Sequence, residues 1–276
     1  MKFGEKLANI CEVNNSLLCV GLDADISKLP SHLLKQDDPI FTFNRSIIDS
    51  TRDLVCGYKL NIAFYEFLGR EGLDALKKTI DYIPDPLLII IDAKRGDIGN
   101  TAQMYAKAFY EVLGADAVTV NPYMGFDGVS PFLEYKDRCA FILCLTSNPG
   151  AKDFQHLVAE GKPLYLHIAD KVVEWNRFGK CGLVVGATHP RELQEIREAA
   201  PELPFLIPGI GVQGGNLEAA VRWGTCGGQP LAIISSSRAI IYASDQEDFA
   251  QKARDEAERV RSAINLYKIS PRLTTD

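Results

Sequence analysis

The sequence predicts a single-domain α/β protein built as a TIM (β/α)8 barrel over residues 1–276. Three observations carry that expectation. Eight short apolar runs recur along the chain, each ending in polar residues. Segments with helical spacing lie between most of them, and strands apolar on both faces belong in a parallel sheet covered by helices. The length of 276 residues suits one barrel, a fold that commonly takes about 250. The alternative from the same alternation is a doubly wound open sheet.

Taken in order, the predicted strands are LLCVGLD (17–23), YKLNIAF (58–64), LLIIIDAK (87–94) and AVTVNPY (117–123). AFILCLTS (140–147), GLVVGAT (182–188), PFLIPGI (204–210) and LAIISSS (231–237) follow. Helical spacing recurs in EGLDALKKTIDYI through Leu73, Leu76, Ile80 and Ile83. NTAQMYAKAFYEVLG sets Met104, Ala108 and Val112 on one face, with Gly114 suited to end the helix. HPRELQEIREAAPELP, NLEAAVRWG and the stretch from Asp245 to Ile269 behave similarly. No linker composition interrupts the chain. Residues 24–57 and 148–180 read as decorations, with 148–163 polar enough for either a closing lid or a passive surface loop.

Composition removes several function classes. Hydrophobic residues make up 46% and charged residues 24%, as in a globular protein that buries a sizeable core. Thirty Lys and Arg against 36 Asp and Glu leave a net charge of -6, so a broad basic nucleic-acid surface is not expected. The start, MKFGEKLANICEVNN, lacks the apolar core of a signal peptide, and no apolar run reaches membrane-spanning length. Seven scattered cysteines without a CxxC pair suit reduced core thiols in a cytosolic protein. The histidines at 32, 156, 167 and 189 show no zinc-binding spacing, so both sets read as structural and no metal is expected.

In this fold, chemistry gathers where strands end in βα loops. Polar residues stand there in every unit: Asp23, Lys59 with Asn61, Asp92 with Lys94, Asn121, Ser147, Thr188, Gln213 and Arg238. Asn61, Asn121 and Thr188 are as consistent with satisfying backbone groups as with orienting the lysines, and Asp25 is as consistent with capping the next element as with touching ligand. The third unit, IIIDAKRGDIGNT, is the densest. Residues two apart on a strand project together, so Asp92 and Lys94 share a side, and a helix starting near Asp97 carries Thr101 one turn on. Opposite charges so arranged keep a partly dehydrated lysine protonated, and such a lysine stabilises and then protonates a carbanion. A structural ion pair with Asp97 as helix N-cap is the alternative. The second signal is PGIGVQGGN (208–216), followed by SSSR ending at Arg238. Glycines admit backbone N–H groups to an anion, and the loops after strands seven and eight of a barrel frequently hold phosphate. Gln213 and Arg238 would add an amide and a bidentate cation.

DAKRGDIGNT at 92–101 resembles the D-x-K-x-x-D-I-x-x-T signature of the orotidine 5′-monophosphate decarboxylase family. The likeness extends through GLDAD (21–25), YKLN (58–61), TSNPGA (146–151), PGIGVQGG (208–215) and the SSR ending at 238, so it spans the barrel. Length, NPYMG and TSNPGA are most similar to the larger bacterial branch. The resemblance implies decarboxylation of orotidine 5′-monophosphate to uridine 5′-monophosphate, the last step of de novo UMP synthesis, with no cofactor. It further implies a network of Lys59, Asp92, Lys94 and Asp97, with Lys94 as proton donor to C6 and Asp92 beside the substrate carboxylate. Asp23 and Lys59 are then ribose contacts, Ser147 a pyrimidine contact, and Gln213 and Arg238 phosphate contacts. The implied assembly is a homodimer in which Asp97 and Thr101 complete the neighbouring site.

Two other functions fit part of this pattern. Magnesium-dependent phosphosugar decarboxylases and aldolases share the D-x-K-x-x-D arrangement but carry an acidic residue on the second strand. Lys59 there would repel a magnesium ion. A non-catalytic nucleotide-binding protein predicts binding without turnover, and nothing in the pattern requires retaining both lysines for that.

Overall fold

The computed structural model describes residues 1–176, 179–210, 215–225 and 231–269. Eight parallel strands form the closed barrel: β1 (Leu18–Gly21), β2 (Gly57–Asn61), β3 (Leu88–Arg95), β4 (Ala117–Val120), β5 (Cys139–Leu145), β6 (Cys181–Val185), β7 (Phe205–Pro208) and β8 (Ala232–Ser236). The closing pair is β1 with β8, where Leu18 stands opposite Ile234. That pairing decides against the open sheet. Every strand of the eight coincides with one of the predicted apolar runs, usually trimmed at its end. The β2 run predicted to 64 stops at Asn61, because Ala63–Glu66 turns into a helix.

Eight longer helices accompany the barrel: α1 (Phe3–Val13), α2 (Pro39–Thr51), α3 (Gly69–Tyr82), α4 (Gly99–Lys107), α5 (Leu164–Trp175), α6 (Pro190–Ala199), α7 (Leu217–Gly224) and α8 (Phe249–Ile269). Sequence chemistry sets several of their ends. Asp38 caps α2 by accepting from the Phe41 N–H, with Pro39 at the first helical position, and Asn216 caps α7 by accepting from Ala219 N–H. In the insertion after β5, a small hairpin pairs Val158–Ala159 with Lys162–Pro163.

One predicted helix face differs from the structure, and a second differs at one residue, with Leu76, Ile80 and Ile83 buried as expected. Met104 and Val112 are exposed, and the buried face of that segment carries Ala102, Ala106, Phe109 and Tyr110. The helix passes into a π-turn over Ala108–Val112, which shifts the phase that a regular period assumes. Leu73 is likewise largely exposed, while Gly72, Ala75, Leu76, Thr79 and Ile80 face inward.

One continuous core fills the barrel and the shell around it. Buried polar groups in it are partnered locally. Arg197 of α6 donates to the carbonyls of Ala200, Leu203 and Gly224 and lies over the Phe205 ring, 3.5 Å from its centroid. The Tyr65 hydroxyl donates to Leu22 O at 2.7 Å and receives the Asn44 amide at 3.0 Å. Six cysteines are buried and unpaired; Cys226 lies outside the described residues. Burial pushes the Cys19 thiol up to about 12. No helix of the described residues is long and apolar enough to cross a membrane.

Candidate active site

A cavity of about 390 Å³ opens at the C-terminal ends of the strands, a size suited to a small-molecule ligand. Its polar lining includes Asp23, Lys59, Asp92, Lys94, Ser147 and Arg238, so six residues singled out in the sequence meet in one place. Strand pairing explains the first four. Gly21 stands opposite Lys59, and Asn61 opposite Asp92, which brings the ends of β1, β2 and β3 level.

Asp92 is the centre of the charge network. Its Oδ2 receives the Lys59 ammonium at 3.1 Å and its Oδ1 receives Lys94 Nζ at 2.6 Å. Lys59 also lies 3.5 Å from Asp23 Oδ1, giving an alternating row Asp23, Lys59, Asp92, Lys94. Burial by itself would raise the Asp92 carboxyl, but Lys59 and Lys94 overcome it and hold the group down to about 2. Burial likewise opposes the charge on Lys59, and Asp23 with Asp92 outweighs it, so the ammonium is held above its ordinary range. Asp92 and Lys59 therefore stay ionised across the neutral range.

Two hydroxyls that the sequence reading passed over fix these carboxylates. Thr119 of β4 donates to Asp92 Oδ1 at 2.9 Å and accepts from the Lys94 N–H at 2.9 Å. Ser237 donates to Asp23 Oδ2 at 2.9 Å, and Asn61 N–H reaches Asp23 Oδ1 at 3.2 Å. The signal in the sequence is a lone hydroxyl, Thr119, between Val118 and Val120 in an otherwise apolar strand; its partner Asp92 comes from the neighbouring strand. Lys94 itself has φ +46°, a left-handed conformation a lysine rarely adopts. It lies where the β3–β4 register shifts between Ile91 and Arg95. Thr119 stabilises that turn by accepting its N–H.

The remaining predicted residues divide. Ser147 lines the cavity with Thr146 and Asn148, and Gly186 presses against it: a Cβ there would lie 2.9 Å from Ser147 N. Arg238 begins the short helix Arg238–Ile241 and lines the same cavity. Gln213 lies outside the described residues. Asp97 and Thr101 stand away from their own chain's cavity lining. Asp97 does not cap α4. The cap position belongs to Ile98, whose N–H reaches the Asp97 carboxylate at 2.8 Å. Asp25 caps the turn at Ile26–Lys28 through Ser27 N–H, and Asn121 accepts from Tyr123 N–H. Both therefore do capping work.

A family model described as orotidine 5′-phosphate decarboxylase / HUMPS matches residues 16–253. The chain belongs to that family. A relative from Dehalococcoides mccartyi (strain CBDB1), named orotidine 5′-phosphate decarboxylase, is 51% identical over 272 residues, covering 97% of this chain and 99% of its own. A relative of the same name from Roseiflexus sp. (strain RS-1) is 48% identical over 267 residues, covering 96% of this chain and 98% of its own. Among solved structures, the Leishmania donovani OMP decarboxylase superposes with a TM-score of 0.86 at 36% identity, covering 98% of this chain and all of that one. The orotidine 5′-phosphate decarboxylase family and its barrel are thus matched over nearly the full length.

Proposed function

We propose that this protein decarboxylates orotidine 5′-monophosphate to uridine 5′-monophosphate and carbon dioxide, closing de novo UMP synthesis. The observation that carries the reading is the Asp92 carboxylate held ionised between Lys59 and Lys94 at 3.1 and 2.6 Å. A substrate carboxylate placed against Asp92 meets a fixed negative charge. Breaking its bond to C6 releases carbon dioxide and leaves the electron pair on C6, in an orbital the ring cannot delocalise. The Lys94 ammonium, fixed beside that carbon, stabilises the pair and delivers its proton to C6. Water then reprotonates the amine. Neither a metal nor an organic cofactor enters these steps.

In this reading Asp23 and Lys59 contact the ribose, Ser147 the pyrimidine, and Arg238 with Gln213 the phosphate. Lys94 and Arg238 both line the cavity, and binding energy from a phosphate at Arg238 would help organise the reacting end. Asp97 and Thr101 serve the partner's site in a homodimer. Support comes from the apolar side chains around them: Ile98, Met104, Met124, Phe126 and the 90% exposed Tyr123 offer a face that a second copy would cover. Buried, unpaired cysteines support a cytosolic setting.

The test adds orotidine 5′-monophosphate to purified protein in excess chelator and follows loss of its ultraviolet absorbance, with Lys94→Ala alongside. Turnover in the wild type and none in a folded Lys94→Ala supports the reading. Turnover that requires added magnesium would instead favour the phosphosugar relatives.

A further inference from the structure

Three side chains meet on the barrel rim, where His156 joins a pair only three residues apart, His189 and Glu192. His189 immediately precedes α6, Glu192 lies in its first turn, and His156 comes from the insertion between β5 and α5. One ligand atom from each lies within 4.8 Å of the other two. The two imidazoles meet edge-on with centroids 5.7 Å apart. The Nε2 atoms of both histidines are buried and lack a hydrogen-bond partner among the described residues, as does the Thr188 hydroxyl next to His189. A buried polar atom left unpaired is costly, and several at one place point to a missing ligand.

We propose that His156, His189 and Glu192 bind one divalent transition-metal ion of the zinc class, separate from the decarboxylation centre. Two neutral imidazole nitrogens and one carboxylate form a borderline donor set that suits zinc and is poor for magnesium or calcium. Tetrahedral zinc with bonds of about 2.0–2.1 Å sets its ligand atoms roughly 3.4 Å apart, so the three atoms, now within 4.8 Å of one another, draw together on binding. The fourth position is left to water, since all three residues are only partly buried. The neighbouring Glu195 is already engaged, accepting from Tyr165 at 2.6 Å and Arg191 at 3.1 Å, which leaves Glu192 as the carboxylate of the set. Tyr165 also packs edge-on against His156 at 5.5 Å and restrains its ring.

The ion acts as a clip. It ties the insertion, whose Gln155 accepts from Thr146 N–H at 2.8 Å beside Ser147, to the start of α6. Its effect therefore falls on the stability of the rim and leaves the proton transfer to Lys94.

Tag-free protein, stripped with chelator and desalted, is titrated with zinc chloride against a chromophoric competitor. One zinc per chain is expected, with cobalt(II) giving the visible absorption of a four-coordinate site. His156→Ala and His189→Ala should each weaken zinc binding by on the order of 100-fold and Glu192→Gln by about tenfold. Lys94→Ala should bind zinc like the wild type, which separates this site from any failure of the decarboxylase reading. Zinc should raise the melting temperature of the wild type and not of the histidine variants. Glu192→Gln, nearly isosteric and partly exposed, guards against a histidine variant that misfolds. Absence of saturable zinc binding at one per chain, or affinity unchanged in Glu192→Gln and the folded histidine variants, would overturn the proposal.

Discussion

The Lys94 ammonium reaches the Asp92 carboxylate at 2.6 Å from a residue only two positions along the same strand, through a backbone turned to φ +46°. In a regular strand, side chains at this separation run parallel and their charged ends need not meet. Here the β3–β4 irregularity folds Lys94 back over its neighbour, and Thr119 accepts the N–H that the turn frees. The proposed proton donor is thus positioned by a residue on the next strand.

Thr119→Val keeps the shape and removes the hydroxyl. The Lys94 N–H and one Asp92 oxygen lose a partner, costing about 1–3 kcal/mol of stability. Misplacement of Lys94 should lower kcat by up to about 100-fold with little change in KM. Thr119→Ser, which restores the hydroxyl, should recover most of the rate. A kcat at the wild-type level in Thr119→Val would remove the residue from this positioning role.

Acid titration tests the ionisation of Asp92. Its carboxyl is depressed to about 2 from an ordinary 3.8, so its contribution is present above 3.8 and is lost as pH falls toward 2. The contribution is about 2 kcal/mol. The stability gap between wild type and Asp92→Asn should stay level from neutral pH to about 5 and narrow below 4. Lys59 has the opposite sign: raised in the fold, its contribution holds below its unfolded value and is lost only in strong alkali. Denaturant melts across the acid range give the comparison, and a gap that widens below pH 4 would contradict it.

Arg238→Ala should act on binding. Loss of a charge-assisted contact to phosphate costs about 1.5–3 kcal/mol, or roughly 10- to 150-fold in KM. Steady-state kinetics on orotidine 5′-monophosphate measure it, and the nucleoside lacking phosphate should show a much smaller difference between wild type and variant. Equal loss on both substrates would point away from phosphate.

Subunit mixing tests the sharing of Asp97. Lys94→Ala and Asp97→Ala homodimers should each be inactive. An equal mixture after subunit exchange should recover about a quarter of the wild-type activity, because half the dimers then hold one intact site of two. No recovery after verified exchange would assign Asp97 to its own chain.

Periodicity and polar strand ends made much of this protein legible from its residues in order. The eight strands, the barrel class and the convergence of Asp23, Lys59, Asp92, Lys94, Ser147 and Arg238 follow from the fact that a strand must bury both faces and release its polar residues at one end. The phase of the 99–112 helix did not, because its π-turn answers to packing at Phe109 and Tyr110 rather than to the local period. What only the tertiary structure decided are meetings between residues far apart in the chain: Thr119 on Asp92 across 27 positions, and His156 beside His189. Local spacing cannot encode such contacts, since they are made when the whole sheet closes and brings separate loops onto one rim.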